Sequence, residues 1–318
     1  MFERVLAVIV SYNPELEKLV DSLKGLLLAP CHVLVVDNGS TNQVQIKASI
    51  DKLSKTSSAL TLVALPANIG LGAAHNVGIE KVHADNFDYL LLLDQDTQLL
   101  EQSLEHLLTA HRRKTEQGER VSAVGGSYAH GSQDESVYIR FGALKFSRHD
   151  ADEQDQDACV ATDFLISSGS LISVSSLKDI GAMDEGLFID HVDTEWFLRA
   201  RSKGYKAYGV PAAKMHHGLG EQTHTMSLAG RQRNVPQHKP FRYYYIFRNS
   251  ILLYKRSYIS ALWKWNDIQR LFLIFSMFAI FKAPRKQNMM MMLRGVYHGV
   301  LGRTGPLNIA DRNSKQES

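Results

Sequence analysis

The first hundred residues alternate between short apolar runs and longer amphipathic stretches. The apolar runs are continuous, which is typical of strands buried on both faces of a parallel sheet. We predict strands over residues 5–10, 32–37, 60–65 and 89–94, and helices over 15–26, 43–55 and 73–83. Strands and helices in alternation indicate an α/β fold.

Polar residues follow each of these four strands. They are Ser11 and Tyr12, the run from Asp37 to Ser40, the loop from Asn68 to Gly72, and Asp94 and Asp96. Because the carboxyl ends of parallel strands meet at one edge of the sheet, these groups can share a ligand. Asp37 could accept a hydrogen bond from a nucleobase, and Tyr12 could stack beside it. Together they favour a nucleotide site over four ordinary loops.

Two further residues extend this picture. Gly70 lets backbone approach a nucleotide closely. Asn76, on the helix that follows, could help to position the ligand or could be solvated.

Asp94 and Asp96 follow the most apolar strand and are one residue apart. Two such carboxylates repel each other, and a divalent cation relieves the repulsion. Mg²⁺ or Mn²⁺ bound in this way keeps positions open for phosphate oxygens. Aspartates after a strand are also common turn formers and helix caps, so the motif alone leaves both interpretations open.

A second acidic group, residues 184–195, precedes a helix predicted over 194–203. Asp193 could act as a general base on a sugar hydroxyl, or it could be the N-cap of that helix. The paired His216 and His217 could be metal ligands or ordinary surface histidines. Gly169, within a strand predicted over 164–172, indicates close approach of a ligand or of backbone.

The composition narrows the classes of protein. With 318 residues the chain can form one large domain or two, and its net charge of +3 is too small to indicate nucleic-acid binding. Cys31 and Cys159 form no zinc or disulfide pattern, which favours a reducing cytosolic setting. No apolar stretch reaches the ~18 residues of a membrane-spanning helix. The acidic run 150–157 lacks EF-hand spacing and is predicted to be a solvated loop.

The last ninety residues differ in character. Basic and aromatic residues interleave from Arg231, and an apolar run over 271–281 follows. This pattern favours a helix lying in a membrane interface. The alternative is a helix packed on the rest of the chain or in a dimer interface. From Thr304 onward we expect disorder.

Seven segments together carry a resemblance to a known family. They are Val-Ser-Tyr-Asn-Pro at 10–14, Val-Asp-Asn-Gly-Ser at 36–40, and the segments 68–78, 93–96, 188–196, 215–220 and 244–249. In order and spacing they resemble glycosyltransferase family 2, and most closely its bacterial rhamnosyltransferase branch, over residues 1–255. The resemblance implies a GT-A nucleotide-sugar-binding fold with a mostly parallel central sheet flanked by helices. With the change in composition described above, we expect a catalytic domain over 1–225, a helical, basic and aromatic extension over 226–303 and a disordered tail over 304–318.

The resemblance also implies a reaction. The expected activity is an inverting transfer of a sugar, most simply rhamnose from dTDP-rhamnose, to a hydroxyl of a growing cell-surface glycan such as O-antigen. The expected partners are the nucleotide-sugar donor, a glycan or lipid-linked glycan acceptor, Mg²⁺ or Mn²⁺, a membrane surface and a second copy of the chain, but no nucleic acid. Such an enzyme is expected in the cytoplasm, peripheral on the inner face of the cell membrane.

Roles for single residues follow from the same resemblance. Asp37 would bind the pyrimidine, Asp94 the ribose and the water shell of the metal, and Asp96 and His217 the metal. Donor binding is expected from Ser11, Tyr12, Asp37, Asn68, Gly70, Asn76 and Asp94, and the acceptor side from Gly169, Glu195 and Trp196. Asp193 falls at the position of the base. Asp190 is a rival, because the family often has Glu-Asp-x-Asp where this chain has Val-Asp-Thr-Glu at 192–195.

Two other functions compete with this one. A haloacid-dehalogenase-like phosphatase also places D-x-D after a strand, but it wants Thr or Val where this chain has Gln98. A non-catalytic glycan-binding or membrane-binding relative is the other alternative. The presence of Asp94, Asp96, Asp193 and His217 argues against it.

Overall fold

The computed structural model describes residues 3–130, 133–134, 138–141, 146–149, 159–217, 223–228 and 231–307. The predicted acidic loop at 150–157 lies outside these residues. In chain order, the first half contains β1 (Val5–Ser11), α1 (Leu16–Leu26), β2 (His32–Asp37), α2 (Gln43–Ser54), β3 (Leu60–Ala64), α3 (Leu71–Ala84), β4 (Tyr89–Asp94), β5 (Thr97–Leu99) and α4 (Ser103–Glu116).

The second half is richer in short strands. It contains β6 (Val121–His130), β7 (Gln133–Asp134), β8 (Tyr138–Phe141), β9 (Phe146–His149), β10 (Val160–Thr162), β11 (Ser170–Ser173), α5 (Val174–Ile180), a 3₁₀ turn (Glu185–Leu187), α6 (Val192–Ser202), β12 (Lys206–His217), β13 (Thr223–Leu228), β14 (Arg231–Pro236), α7 (Pro240–Tyr254), α8 (Ala261–Phe275), a π-helical segment (Ser276–Phe281) and α9 (Arg285–Val300).

One central sheet organises these elements, with the strand order β10-β12-β6-β11-β4-β1-β2-β3. The first four strands along the chain pair in parallel, as β3-β2-β1-β4. β11 then inserts antiparallel between β4 and β6, and β10 pairs antiparallel with β12, while the other six strands of this order run in one direction. The predicted α/β fold with helices flanking a central sheet is observed.

β1, β2 and β4 are buried on both faces, as their continuous apolar runs predicted, whereas the edge strand β3 is only partly buried. Along β1 and β4, Val8 and Leu92 enter the core on one side, and Ile9 and Leu91 enter the core on the other. Side chains alternate between the faces of a strand, so each strand must be apolar throughout to supply two cores.

Three boundaries differ from those predicted. Only Ser170–Ser173 of the expected 164–172 strand is extended into the sheet, because Gly169 turns the chain at φ +80°. α6 begins at Val192 after His191, so Asp193 lies in the first helical turn and is not the N-cap. The chain at 304–307 is ordered: Leu307 is buried, and its amide donates to the Tyr245 hydroxyl at 2.8 Å. Later residues lie outside the described part.

The C-terminal helices share their packing with the sheet. Leu252, Leu253 and Trp263, from α7 and α8, belong to the same core as Val8 and Leu92. The predicted boundary at residue 225 is therefore not a boundary in packing. Among the described residues, no helix combines the length and the apolar character that crossing a membrane requires.

Candidate active site

The carboxyl ends of neighbouring strands lie side by side at one edge of the sheet. In the β1–β2 register Ser11 stands opposite Asp37, and in the β1–β4 register Val10 stands opposite Asp94. Asp37 in turn stands opposite Ala64 at the end of β3. The structure thus brings together the strand ends that the sequence placed at a common edge.

Asp37 is fully buried and holds this edge together. Its carboxylate accepts hydrogen bonds from the Ser11 hydroxyl (3.1 Å), from the amide and hydroxyl of Ser40, and from Gln43 Nε2 (2.8 Å). These donors account for both carboxylate oxygens, because each oxygen accepts about two hydrogen bonds. Asp37 therefore fixes the loop after β2, and a direct contact of its carboxylate with a nucleobase finds no support in this geometry.

Side chains tie the other loops of the edge to one another. The Tyr12 amide donates to Gln95 Oε1 at 2.8 Å, which joins the end of β1 to the middle of the Asp94–Asp96 motif. Asn38 accepts from the Ile69 amide (2.9 Å), and its own amide donates to the Gly70 carbonyl (3.3 Å). The Tyr12 ring is half exposed beside these loops, where a flat ligand could stack on it.

The chain after Asp96 is fixed by β12. β5 pairs antiparallel with the end of β12, and His217 stands opposite Thr97, the residue next to Asp96. The backbone of His217 is thus placed beside the acidic motif. Its side chain lies outside the described part of the chain.

Tyr128, on β6, contacts the loop that lies between the acidic segments. Burial is the largest cause of the raised pKa of its hydroxyl, and the negative charges of Asp94, Asp96 and Asp193 each raise that pKa further. The hydroxyl donates to the Ser168 carbonyl at 2.7 Å. Sequence reasoning missed Tyr128, because nothing near it in the chain marks its position on β6.

The loop before β11 joins the two acidic groups. The Asp94 amide donates to Ser168 Oγ at 2.9 Å, and the Ser167 amide donates to Asp193 Oδ2 at 3.3 Å. The adjacent Gly169 has no room for a side chain, because an added Cβ would lie 2.1 Å from the Met215 methyl group. The group closest to Gly169 is thus the Met215 side chain, which is neither the ligand nor the backbone segment expected from the sequence.

Asp193 borders a cavity of about 330 Å³. Among the residues that line it are Phe164, Ile166, Asp190, Asp193, Trp263 and Arg270. Burial raises the pKa of the Asp193 carboxyl above its usual range, while hydrogen bonds from the Thr194 and Ser167 amides oppose the rise. A carboxylate with a raised pKa is a stronger base and still faces a space that can hold a substrate hydroxyl.

Asp190 lines the same cavity but is paired differently. Arg242 contacts both of its carboxylate oxygens, with Nη2–Oδ1 at 2.6 Å and Nε–Oδ2 at 3.4 Å. A guanidinium held in this bidentate manner stabilises the ionised carboxylate and occupies its lone pairs. Of the two rival bases, the geometry therefore favours Asp193.

The donor set at this edge fits a hard divalent cation. Asp94 and Asp96 offer carboxylate oxygens, the ligand type preferred by Mg²⁺ and Mn²⁺. Among the described side chains, no three residues of metal-binding type form a complete protein ligand set. Two carboxylates with the remaining positions taken by phosphate oxygens is the arrangement such cations adopt with nucleotides.

Three other residues from the sequence prediction lie in the interior. The Asn76 side chain bonds to the backbone of Met183 and donates to Glu185 Oε1 (2.8 Å), so it ties α3 to the 3₁₀ turn rather than facing the edge. Trp196 is fully buried, and its indole N–H donates to the Gly181 carbonyl at 2.8 Å.

Glu195 is fully buried in a cluster of charges. Its carboxylate is paired with Arg199 (2.9 Å) and Arg256 (3.2 Å) and accepts from the Tyr258 hydroxyl. The expectation that Glu195 and Trp196 face an acceptor is therefore wrong. In the first turns of α6 they point into the core, whereas Asp193 points toward the cavity.

Comparison with known proteins identifies the family to which the chain is similar. The model of Glycosyl transferase family 2 matches residues 6–181. The dTDP-rhamnosyl transferase RfbF of Shigella flexneri is 31% identical over 268 residues, which are 82% of this chain and 83% of RfbF. The phosphatase alternative is thereby excluded.

Solved structures agree in fold. The mannosyltransferase PcManGT from Pyrobaculum calidifontis, in complex with GDP-Man and Mn²⁺, has a TM-score of 0.55 at 13% identity, with 96% of this chain and 77% of that chain covered. GalNAc-T7 with UDP, GalNAc and Mn²⁺ has a TM-score of 0.56 at 16% identity. That match covers 68% of this chain and 44% of GalNAc-T7. The expected GT-A fold is confirmed.

The buried charge cluster yields a prediction on stability. Replacing Glu195 with Ala leaves Arg199 and Arg256 without their common carboxylate, and we expect it to lower the free energy of unfolding by about 3–5 kcal/mol. Denaturant unfolding followed by circular dichroism measures this. The exposed Glu80 on α3 gives the control, since Glu80→Ala should change the stability by no more than about 0.5 kcal/mol. Equal stabilities of the two variants would contradict the buried cluster.

Proposed function

The chain belongs to glycosyl transferase family 2. From that premise we propose that it transfers rhamnose from dTDP-rhamnose to a hydroxyl of a growing cell-surface glycan such as O-antigen. The transfer inverts the configuration at the anomeric carbon of rhamnose. The observation that carries the proposal is that one short loop joins the two acidic segments: Ser168 Oγ accepts from the Asp94 amide, and the Ser167 amide donates to Asp193 Oδ2. It sets two carboxylates for a cation-bound diphosphate beside a third that can serve as base. The choice of sugar rests on the similarity to RfbF.

On the donor side, the loops at the sheet edge would hold the nucleotide. Tyr12 is exposed enough to stack on the base, and the segment from Asn68 to Gly70 offers backbone beside it. Ser11 and Asp37 would act indirectly, because their side chains are bonded to each other and hold the loops in place. Asp94, Asp96 and His217 would bind the cation, and this assignment is the same for Mg²⁺ and for Mn²⁺.

The chemical step needs a base on the side of the sugar opposite the diphosphate, because the acceptor hydroxyl attacks from that side. The acceptor oxygen forms a bond to the anomeric carbon, the bond from that carbon to the phosphate oxygen breaks, and its electron pair leaves with dTDP. Asp193 takes the proton from the acceptor hydroxyl, which contributes about 10²–10⁴-fold to the rate in enzymes of this kind. A bound divalent cation would stabilise the charge that develops on the diphosphate.

The acceptor would enter the cavity beside Asp193. Its walls come from the loop before β11 and from the C-terminal helices, with Phe164 and Ile166 on one side and Trp263 and Arg270 on the other. Apolar and aromatic walls with a few polar groups suit a sugar ring, whose faces are apolar and whose edge carries hydroxyls.

A membrane surface would supply such an acceptor as a lipid-linked glycan. Several large apolar side chains on α8 and α9 are exposed, among them Phe272 (70%), Leu273 (52%) and Leu293 (55%). Residues 268–300 contain five basic residues and no acidic residue. An apolar face with basic surroundings favours the interface of an anionic bilayer over a second protein.

The cation assignment predicts the result of removing one carboxylate. With Mn²⁺, the wild-type chain should release dTDP from dTDP-rhamnose faster than it releases the nucleoside diphosphate from any other nucleotide-sugar. Asp96→Ala should lose this activity and the Mn²⁺-dependent part of dTDP binding measured by calorimetry, while remaining folded. Full activity of Asp96→Ala would contradict the cation site, and turnover of a different nucleotide-sugar alone would contradict the choice of donor.

The base assignment predicts a difference between two neighbouring carboxylates. Asp193→Asn should lower kcat about 10²–10⁴-fold and leave donor binding intact, whereas Asp190→Asn should lower it less. Because burial raises the pKa of Asp193, the wild-type rate should fall on acidification at a pH above the usual Asp value of about 3.9. Steady-state kinetics against pH measure both effects. The larger loss in Asp190→Asn would identify Asp190 as the base.

The membrane assignment predicts that surface charge abolishes binding without unfolding. Phe272→Asp combined with Leu273→Asp should prevent co-sedimentation with vesicles of phosphatidylglycerol and phosphatidylcholine, which the wild-type chain should show. The control is Leu28→Asp, since Leu28 is 90% exposed at the end of α1. If the wild-type chain binds no vesicles but sediments as a dimer that the double variant disrupts, the face is a subunit interface instead.

A further inference from the structure

The loop that leads into Asp193 has an unusual backbone. Phe188, Asp190 and His191 all have positive φ, at 64°, 61° and 63°. For residues other than glycine this region is sparsely populated, and such residues persist only where their surroundings compensate for the strain. Three of them within four positions require a partner that holds the loop.

That partner is Asn249 on α7. Its Nδ2 donates to the carbonyls of Leu187 (3.0 Å), Ile189 (2.8 Å) and Asp190 (2.9 Å). The neighbouring Arg248 donates to the carbonyls of Gly186 (3.2 Å) and Leu187 (2.9 Å). Both side chains are fully buried, so water cannot replace these hydrogen bonds.

The orientation of the Asn249 amide is itself fixed. Its Oδ1 accepts from Arg248 Nε at 2.9 Å, which turns the NH₂ group toward the loop. α7 and α8 also hold the end of the loop, because His191 Nε2 accepts from Arg270 (3.0 Å) and lies 3.1 Å from Ser250 Oγ.

The same loop reaches the donor side of the edge. The Leu71 amide donates to the Phe188 carbonyl at 2.6 Å, and an added Cβ on Gly70 would lie 2.7 Å from the Phe188 ring. Phe188 stacks on Tyr245 of α7 with the ring centroids 5.3 Å apart. The loop therefore links α7, the donor-side segment at 68–70 and the helical turn that carries Asp193.

We propose that Asn249, supported by Arg248, is a positioning residue for the transfer: it holds residues 186–191 in the conformation that presents Asp193 to the acceptor. The proposal rests on the proposed function for its catalytic consequence. The hydrogen bonds from Asn249 and Arg248 to this loop are a property of the fold. It gives the C-terminal helices a part in the reaction although they carry neither the base nor the cation ligands.

The test compares two equally buried asparagines in the full-length chain. Asn249→Ala removes the three hydrogen bonds to the loop. Asn288→Ala is the control, because Asn288 on α9 is also buried and donates to a backbone carbonyl, that of Phe278, away from the loop. Asn249→Ser keeps a hydroxyl donor and serves if the alanine variant does not fold.

Two readouts separate positioning from a general loss of stability. Hydrogen–deuterium exchange should accelerate in peptides covering 184–196 for Asn249→Ala and not for Asn288→Ala. In steady-state kinetics Asn249→Ala should lower kcat about 10²-fold with a far smaller change in the KM for dTDP-rhamnose and in dTDP binding. Asn288→Ala should keep kcat even where its melting temperature falls.

Two outcomes would overturn the proposal: unchanged exchange in 184–196, or faster exchange with kcat retained. A wild-type chain that transfers sugar from no donor would instead refute the proposed function and with it the catalytic consequence. The exchange measurement would still decide whether Asn249 holds the loop.

Discussion

The hydrogen bonding of one short loop to both acidic segments is the interaction on which the rest of the site depends. Asp94 and Asp96 follow β4, and Asp193 comes from the first turn of α6. The Asp94 amide donates to Ser168 Oγ, and the Ser167 amide donates to Asp193 Oδ2, so the loop couples the donor side to the base. Asp94 and Asp96 are one residue apart, and a cation would relieve the repulsion between their charges.

The parts of this arrangement that depend on local pattern could be predicted from the sequence. Continuous apolar runs identified β1 to β4, because a strand that supplies two cores has no polar position to spare. The convergence of their polar ends followed from the geometry of parallel strands. The antiparallel insertion of β11 could not be predicted, since a strand buried on both faces looks the same in either direction.

Roles that depend on the direction in which a side chain points were harder to predict. Glu195 and Trp196 lie within three residues of Asp193, but one turn of helix sends them into the core and Asp193 toward the cavity. Asp37 has the residue type and position of a nucleobase ligand, yet its oxygens accept from Ser11, Ser40 and Gln43. A carboxylate at a strand end can satisfy backbone and hydroxyl donors as well as bind a ligand, and only the three-dimensional contacts distinguish these uses.

The C-terminal helices pack onto the rest of the chain and also expose an apolar face. α8 packs Trp263 and Leu271 inward, as a helix docked on the rest of the chain must, while Phe272 and Leu273 face outward. The inner face lines the cavity beside Asp193, and α7 holds the loop before it. A surface that contacted a membrane through the outer face would thus bring the acceptor cavity to the lipid-linked glycan.

A crystal structure of the chain with dTDP and Mn²⁺ tests the convergence of these carboxylates most directly. We predict Mn²⁺ at the Asp96 carboxylate with the diphosphate of dTDP beside it, at the same edge of the sheet as Tyr12, and Asp193 on the opposite side of the sugar position. Diphosphate bound away from Asp94 and Asp96, or on the same side of the sugar position as Asp193, would contradict it.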